Sequence, residues 1–379
     1  MAHTFTDYYV DPVSGSDASV GDINNPWQTL GHAFSTVGAI QSARRLNISN
    51  KQEFVISSSI GNQGFLGTAD KPLIFQPWDN APTGTGLTMD TVDGRTIPMF
   101  QIRANSVNEL FGLSSHNRYI CFKGGRFADF DNRVVYVQID MSFIDCIFDN
   151  CSSGSNGALR GISREALILR CKFIGGDGNG IKEVLSHVHN CYFEDTNIDG
   201  ISCRKAQVIT NCVFKNCGTS GTAGNPYGGI GTLDQDDVRI KNNTFIDDSG
   251  SAGRAGVRNS SGSTNTLCTG NLFIGYDHAD SYPVYVDGYF SQLGYNAFYT
   301  AGNAYNGTAG AILDETSNDV TLASDPLPNG SSAPYELDPD SDAFQALAGE
   351  QTGTESISIG AQQPSGGGGI SESVDIITE

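Results

Sequence analysis

A phenylalanine motif recurs along the middle of the chain, and the residue five positions before each copy is never polar. Eight copies align on Phe127, Phe148, Phe173, Phe193, Phe214, Phe245, Phe273 and Phe298. The residues five positions earlier are Phe122, Phe143, Ile168, Val188, Ile209, Ile240, Cys268 and Leu293. The copies are separated by 20 to 31 residues. This spacing predicts a solenoid that keeps its short strands and varies its loops.

Strand signals accompany this repeat. Runs such as ALILR, AQVIT and DVRIK are rich in β-branched residues and end at Gly, Asn, Asp or Ser. A second apolar pair follows six of the phenylalanines, at Gly161-Ile162, Gly180-Ile181, Gly200-Ile201, Gly229-Ile230, Gly256-Val257 and Pro283-Val284. We therefore expect an all-β, single-stranded parallel coil with turns about 4.8 Å apart, in which equivalent residues stack into columns.

One of these columns consists of cysteines and then asparagines. Two residues before the phenylalanines lie Cys146, Cys171, Cys191, Cys212, Asn243, Asn271 and Asn296. Four stacked cysteines would span roughly 15 Å and could not converge on one zinc ion, which needs tetrahedral ligands. The pattern instead predicts buried thiols followed by a ladder of mutually bonded amides. Nine cysteines, an odd number, indicate reduced thiols.

The pattern divides the chain into three segments. Residues 1–50 hold an edge strand, DYYVD, and a predicted capping helix from Thr29 to about Ala43, with Thr29 as its N-cap. Residues 51–363 are the coils. Residues 364–379 contain four consecutive glycines and a strand-like peptide with Ile370, Val374 and Ile376 on one side, which we interpret as an attachment peptide.

Both ends of the repeat region resemble a known group. The stretch YYVDPVSGSDASVGDINNPWQTLGHAF (residues 8–34), GTADKPLIFQPW (residues 67–78) and the closing YELDPDSDAFQALAG are similar to the first and last coils of the pectin lyase-like superfamily, most of all its phage and virion-associated members. The resemblance implies a right-handed parallel β-helix. It does not specify a function, because one fold hosts many activities.

Charge and hydropathy limit the classes of partner. The formal net charge is −20, which argues against nucleic acid and anionic membranes. No apolar run approaches 18 residues, and the first residues lack the pattern of a signal peptide. We therefore expect no membrane insertion, synthesis in a host cytoplasm and a place on a virion surface.

Assembly is also suggested by the sequence. An outward column contains Ile144, Leu167, Leu169, Val208 and Leu267, and its apolar character suggests a contact in a homotrimer. The tail peptide would bind other virion proteins.

The resemblance also implies candidate chemistry. Lyases of this fold hold calcium with acidic residues and use Lys or Arg to remove the proton α to a carboxylate, which is acidic only once that carboxylate is neutralised. Alignment of the coils gives Lys182, Arg204 and Asp199 as catalytic candidates, and Asp177 and Asp199 as calcium ligands. The alternative interpretation is a solvated turn of mixed charge. No other cofactor is expected.

Two further motifs suggest contact with sugars. Arg239-Ile240-Lys241 resembles the substrate-binding tripeptide of polygalacturonase-like hydrolases, although the GHG motif of those enzymes is missing and the tripeptide also fits the structural repeat. Tyr282, Tyr285 and Tyr289 could stack on sugar rings or pack the end of the solenoid. We therefore predict a virion surface protein, tailspike-like or capsid-decorating, that contacts a host surface or glycan and requires no catalytic activity. The alternatives are a secreted polysaccharide lyase or other carbohydrate-active enzyme, and a cell-surface adhesin.

Overall fold

The fold is a parallel β-solenoid of about nine turns, as the repeat predicts. The computed structural model describes residues 4–39, 42–60, 71–78, 88–90, 96–111, 119–137, 140–161, 165–203, 207–222, 225–232, 236–263, 265–306 and 310–327. The chain divides into one compact unit of residues 3–202 and a second that begins at Cys203. Three parallel sheets, here called A, B and C, run through the strands of the coils.

The first unit contains strands of all three sheets. Its sheet A strands are β1 (Thr6–Val10), β2 (Arg44–Ser49), β4 (Leu73–Trp78), β8 (Ile120–Lys123), β11 (Met141–Ile144), β14 (Glu165–Leu169) and β17 (Leu185–His189). Its sheet B strands are β3 (Phe54–Ile56), β7 (Phe100–Ala104), β9 (Gly125–Ala128), β12 (Ile147–Asp149), β15 (Lys172–Ile174) and β18 (Tyr192–Glu194). Its sheet C strands are β10 (Val135–Val137), β13 (Gly157–Gly161), β16 (Asn179–Lys182) and β19 (Ile201–Cys203, whose last residue opens the second unit). A separate antiparallel pair is formed by β5 (Thr88–Asp90) and β6 (Thr96–Pro98).

The second unit has the same three-sheet pattern. Its sheet A strands are β20 (Gln207–Thr210), β23 (Asp236–Lys241), β26 (Asn265–Thr269), β29 (Tyr289–Gly294) and β32 (Gly310–Glu315). Its sheet B strands are β21 (Val213–Lys215), β24 (Thr244–Ile246), β27 (Leu272–Ile274), β30 (Ala297–Tyr299) and β33 (Val320–Thr321). Its sheet C strands are β22 (Tyr227–Thr232), β25 (Arg254–Asn259), β28 (Tyr282–Val286) and β31 (Tyr305–Asn306), and a 3-10 helix spans Thr316–Asn318.

The N-terminal segment contributes the α-helix, α1 (Leu30–Ala39). Thr29 is its N-cap, as predicted, because its Oγ1 accepts a hydrogen bond from the backbone N–H of His32 at 3.2 Å. The helix ends at Ala39, earlier than the predicted Ala43, and Phe34 packs edge-on against Phe75 of β4. Strands β1 and β2 lie in the same sheet as β4, so the segment before residue 50 contributes to sheet A. In the described part of the chain, no helix is long and apolar enough to cross a membrane.

The phenylalanines of the repeat form the core. In the first unit the rings of Phe127, Phe148, Phe173 and Phe193 stack in sequence, and in the second the rings of Phe214, Phe245, Phe273 and Phe298 do the same. All eight are buried. The predicted internal stack is confirmed, and each ring covers about one strand spacing of the solenoid.

The glycines of the second motif are required by these rings. A Cβ atom on Gly180 would lie 2.9 Å from the ring of Phe193, and one on Gly256 would lie 2.6 Å from the ring of Phe273. The predicted position of the first copy of this motif is wrong. Leu159, not Ile162, pairs with Ile181, so Ala158-Leu159 takes the place assigned to Gly161-Ile162.

The cysteine and asparagine columns are both present. All nine cysteines are free thiols, and burial raises the pKa of Cys146 and Cys171 well above the ordinary value. In the second unit the Asn243 amide donates to Asn271 Oδ1 at 3.1 Å, and the Asn271 amide donates to Asn296 Oδ1 at 3.2 Å. The predicted amide ladder is therefore confirmed, and it ends at Asp319, whose Oδ1 accepts the Asn296 N–H at 2.8 Å.

Candidate functional site

Sheet C has one row of aligned positions in each unit, directly after the inward-facing residue of each strand. Successive side chains of a strand alternate between faces, so the residue after an inward Leu, Ile or Val points outward. In the first unit the row is Tyr136, Arg160, Lys182 and Ser202, of which Ser202 is buried. In the second unit it is Gly231, Arg258, Tyr285 and Asn306.

In the second unit this row is part of an aromatic patch, defined here as Tyr227, Arg258, Tyr282 and Tyr285. The guanidinium of Arg258 lies over the ring of Tyr227, 4.9 Å from its centroid. Its Nη1 donates to Asn225 Oδ1 at 3.3 Å, which fixes the guanidinium at the edge of the patch. On the next strand, the rings of Tyr282 and Tyr285 lie 6.0 Å apart and are tilted by 54°.

The aromatic patch has the chemistry of a sugar-binding surface. All four side chains are half-buried, so each ring leaves part of its surface open to solvent. A tyrosine ring offers apolar area to the C–H face of a sugar at little cost in conformational entropy, and its hydroxyl and a neighbouring guanidinium can bond the sugar oxygens. The patch needs no metal for such binding.

In the first unit the same row is part of a different group of side chains. This group is called here the basic cluster and is defined as Arg133, Tyr136, Arg160, Lys182 and Glu183. Glu183 is buried and lies 3.8 Å from both Arg160 Nη2 and Lys182 Nζ. Lys182 Nζ also donates to the Ser155 carbonyl oxygen. The guanidinium of Arg133 lies 5.1 Å from the centroid of the Tyr136 ring.

The cations of the basic cluster are already engaged within the protein. Arg133 Nε donates to Glu109 Oε2 at 2.8 Å, and Arg160 Nη1 donates to Asn156 Oδ1. Burial raises the pKa of Tyr136, and the nearby arginines offset only part of this effect, so its phenol stays protonated at neutral pH. Such a phenol could act as an acid, and the cluster could neutralise a carboxylate, only if a ligand replaced these internal bonds.

The predicted lyase residues are not all brought together. Lys182 belongs to the basic cluster, whereas Asp177 is exposed and Asp199 is buried. Asn179 Oδ1 accepts the backbone N–H of Asp199 at 3.2 Å, so these two residues are neighbours on adjacent coils. Arg204 lies outside the described residues. Among the residues that are described, no three acidic, histidine or cysteine side chains lie close enough to hold a metal, and the calcium role of Asp177 and Asp199 stays a prediction.

The predicted tyrosine cluster divides in the structure. Tyr282 and Tyr285 lie together on β28, but Tyr289 lies on β29 in sheet A and is 62% exposed. The predicted apolar column also changes character, because Ile144 and Leu169 are already buried within the chain. Leu167, Val208 and Leu267 are half-buried. The attachment residues Ile370, Val374 and Ile376 lie outside the described residues.

Five contributors to these two sites were missed in the sequence: Arg133, Tyr136, Arg160, Tyr227 and Arg258. Arg160 was missed because the first Gly-Ile copy was placed three residues too late. Arg258 follows Gly256-Val257 at the position that Lys182 takes after Gly180-Ile181. Reading one residue beyond each apolar pair would have found the outward row.

Known protein structures resemble this chain in fold. No family model and no curated protein matches the sequence. The solved structures that resemble it are pectate lyase-like parallel β-helix proteins. One is the A-module of the mannuronan C-5 epimerase AlgE6 from Azotobacter vinelandii, with 14% identity, a TM-score of 0.48 and coverage of 83% of this chain and 99% of that one.

Two others show a similar degree of likeness. The GH136 lacto-N-biosidase from Eubacterium ramulus has 10% identity and a TM-score of 0.47, over 83% of this chain and 67% of that one. The pectate lyase Pel9A has 14% identity and a TM-score of 0.44, over 96% of this chain and 98% of that one.

Proposed function

We propose that this protein is a glycan-binding β-solenoid that contacts a surface polysaccharide through the aromatic patch. The observation that carries the proposal is the grouping of three half-exposed tyrosines around Arg258 on three neighbouring coils of the second unit. Strands about 4.8 Å apart offer a sugar chain a regular row of contacts. Binding of this kind requires no catalytic group.

We also propose that this contact is made at the surface of a virus particle. Support comes from the resemblance of both ends of the repeat region to virion-associated members of the superfamily. The alternation of Ile370, Val374 and Ile376 would let the tail add a strand to an exposed sheet edge of another virion protein. Deletion of residues 366–379 should leave the solenoid folded and abolish incorporation into the particle. Normal incorporation of the truncated chain would contradict this placement.

Glycan binding is tested on an array of neutral and acidic oligosaccharides, followed by calorimetric titration of each ligand found. Tyr285→Ala should weaken binding by about tenfold, because truncation of an important aromatic contact residue costs more than about 1 kcal/mol. Tyr285→Phe keeps the ring and should retain most of the affinity.

A matched control is Tyr299→Ala, which removes another half-buried tyrosine from β30 in sheet B. Its binding should equal that of the wild type. Equal losses in Tyr285→Ala and Tyr299→Ala, or an array without any ligand, would overturn the proposal.

A polysaccharide lyase is the second candidate, and the basic cluster is the observation that favours it. Tyr136, Arg160 and Lys182 occupy register positions on three neighbouring strands, where a base, an acid and a group that neutralises a carboxylate could face one sugar. Incubation with uronate polymers and calcium, monitored by the ultraviolet absorbance of an unsaturated product, tests this candidate. A cell-surface adhesin would use the aromatic patch in the same way, and its tail would be found in a cell envelope.

A further inference from the structure

The outward side of sheet B is buried in the second unit. The rings of Phe245, Phe273 and Phe298 stack inside the core, so the residues on either side of each ring point outward. Five of these outward residues are 0–8% exposed: Thr244, Ile246, Leu272, Ile274 and Ala297. These five residues are called here the sheet B face.

The first unit shows the same position of the coil in contact with water. Ile174 directly follows the phenylalanine of its coil, as Ile246 and Ile274 do in theirs. It is half-buried, and its ladder neighbours Asp149 and Glu194 are half-buried and charged. A parallel sheet that is apolar on both sides is normally covered on both sides. A further layer therefore covers Ile246 and Ile274.

The covering layer belongs to the same chain, because the burial is present in a single copy of the protein. Every described strand of the second unit is part of the three sheets of the coil. The helix α1 packs on β1 and β2, and the 3-10 helix packs on β29. The turns after β24 and β27 reach solvent at residues 248–252, Asp277 and Ala279, so they do not form the layer. The layer is therefore a segment outside these elements.

The C-terminal segment is the one that can reach the sheet B face. Strand β33 pairs with β30, which carries Ala297, so the described chain ends shortly after the last strand of this sheet. Leu327 is only 3% exposed, which indicates that the chain stays against the protein beyond β33. Of the segments of this unit outside the described residues, residues 328–379 are the one longer than three residues.

Residues 328–349 have the length and the composition that the covering layer requires. The sheet B face extends over β24, β27 and β30, which is about 10 Å at a strand spacing of about 4.8 Å, and an extended chain covers this distance with about four residues. The segment contains four large apolar side chains, those of Tyr335, Leu337, Phe344 and Leu347. Apolar side chains on both partners favour contact, because each loses its exposure to water.

We propose that residues 328–349 lie across the sheet B face of their own chain, as a strap that packs its large apolar side chains on Ile246, Leu272 and Ile274. The strap makes both sides of sheet B part of the core in the second unit. It also holds the chain that precedes the attachment peptide against the solenoid. The inference goes beyond glycan binding and does not depend on it.

Hydrogen exchange of the full chain, measured peptide by peptide with mass spectrometry, tests the strap. Peptides from residues 328–349 should exchange at least about tenfold more slowly than the same sequence in a free synthetic peptide, because stable packing protects amides. The double variant Ile246→Asp/Ile274→Asp places two charges under the strap and should return these peptides to the free rate. Exchange of the wild-type segment at the free rate would overturn the proposal.

The matched control is Ile174→Asp, which makes the same change where the isoleucine is half-buried. It should leave the protection of residues 328–349 unchanged. Peptides from β23 and β26 of sheet A should stay protected in the double variant, which shows that its solenoid is folded. Protection of residues 328–349 that persists in this folded double variant would also refute the strap.

Photo-cross-linking identifies the occupant of the sheet B face without a change to its isoleucines, and it decides alone if the double variant does not fold. Tyr299 is half-buried and is the ladder neighbour of Ile274. With p-benzoylphenylalanine in place of Tyr299, we expect a cross-link to residues 328–349 of the same chain. The same probe in place of Tyr285, on sheet C, should give no such cross-link. A cross-link from position 299 to a second copy of the chain, or none to this segment, would contradict the proposal.

Discussion

The outward face of sheet C differs between the two units although the backbone under it follows the same rule. In the first unit, Arg160 and Lys182 share the buried carboxylate of Glu183. In the second unit, the equivalent outward row carries Arg258 and Tyr285, and Arg258 lies over the ring of Tyr227. One position of the coil therefore serves an internal ion cluster in one unit and a half-exposed aromatic surface in the other.

This difference indicates where a ligand can bind at low cost. A ligand at the basic cluster must replace a carboxylate, a carbonyl and an amide that already bond its cations, and the loss of those bonds opposes binding. A ligand at the aromatic patch covers ring surface that faces water. The comparison therefore favours glycan contact at the second unit and a structural role for the cluster of the first.

The largest expected effect comes from the strand under the aromatic patch. Gly256→Val would place a Cβ 2.6 Å from the Phe273 ring and 2.7 Å from the Pro283 carbonyl oxygen. We expect a loss of about 3 kcal/mol in the free energy of unfolding, because overpacking a closed core forces backbone shifts. Glycan binding should fall with it, since β25 carries Arg258.

Denaturant unfolding measures the stability change, and Gly31→Ala is the control. Gly31 lies in α1, and a Cβ there meets nothing within 4 Å. It should raise stability by roughly 0.5–1 kcal/mol, the usual difference between alanine and glycine in a helix. A Gly256→Val variant as stable as the wild type would refute the account of the glycine motif.

The next effect separates the two outward rows. Glu183→Ala leaves Arg160 and Lys182 without their shared carboxylate in a largely buried site, and we expect a loss of about 2 kcal/mol. Arg258→Ala removes only a half-exposed cation over a ring and should cost less than about 1 kcal/mol while it abolishes glycan binding.

Chemical denaturation and calorimetric titration of both variants provide the measurements. Asp177→Ala, at an exposed carboxylate, controls for charge loss. The reverse order of stability effects would remove the distinction between cluster and patch.

The fold could be predicted from the sequence because the repeat places one large ring in each coil. Phe148 and Phe245 are buried where the motif put them, and the amides of Asn243 and Asn271 bond as their spacing suggested. A buried column constrains residue type strongly, since any polar or oversized side chain there would cost stability.

The candidate sites were less predictable because outward residues carry no such constraint. Arg160 could not be aligned with Lys182 while the loop between β12 and β13 had an unknown length. Tyr289 follows Tyr285 closely in sequence, yet the turn after β28 carries it to another sheet. The register shifts at Asp237 on β23 and Ser291 on β29 leave no signature in the hydrophobic pattern, because each adds one polar residue that is exposed or half-buried.

A smaller effect distinguishes the columns of the two units by pH. In the second unit, burial raises the pKa of Asp319 to about 6 from 3.8, although hydrogen bonds from Tyr305 and Asn296 oppose the shift. The folded state then holds this proton more tightly than the unfolded state. The stabilisation that protonated Asp319 contributes to the folded state is fully present below pH 3.8 and is lost as the pH rises through about 6.

We expect this loss to be roughly 1–2 kcal/mol, after a reduction for partial exposure of the carboxyl group. Urea unfolding at a series of pH values measures it, and Asp319→Asn should remove this part of the dependence while it keeps an acceptor for Asn296. In the first unit the corresponding column consists of thiols such as Cys146. Burial raises the pKa of this thiol well above its ordinary value, so the column adds no dependence of stability on pH between 3.8 and about 6. An identical pH profile for Asp319→Asn and the wild type would contradict the assignment.

The smallest expected effect tests the alternative function directly. Lys182→Ala removes an ammonium that is already bonded to the Ser155 carbonyl oxygen and lies near Glu183, while Arg160 remains beside that carboxylate. Glycan binding at the aromatic patch should therefore not change, and stability should fall by less than about 1 kcal/mol. We expect the same unchanged binding for Arg204→Ala. Neither the wild type nor the variants should release unsaturated product from uronate polymers with calcium. A strong ultraviolet signal from the wild type that disappears in Lys182→Ala would instead make the basic cluster a lyase site, and the comparison between the two units would then be one between a catalytic face and a binding face.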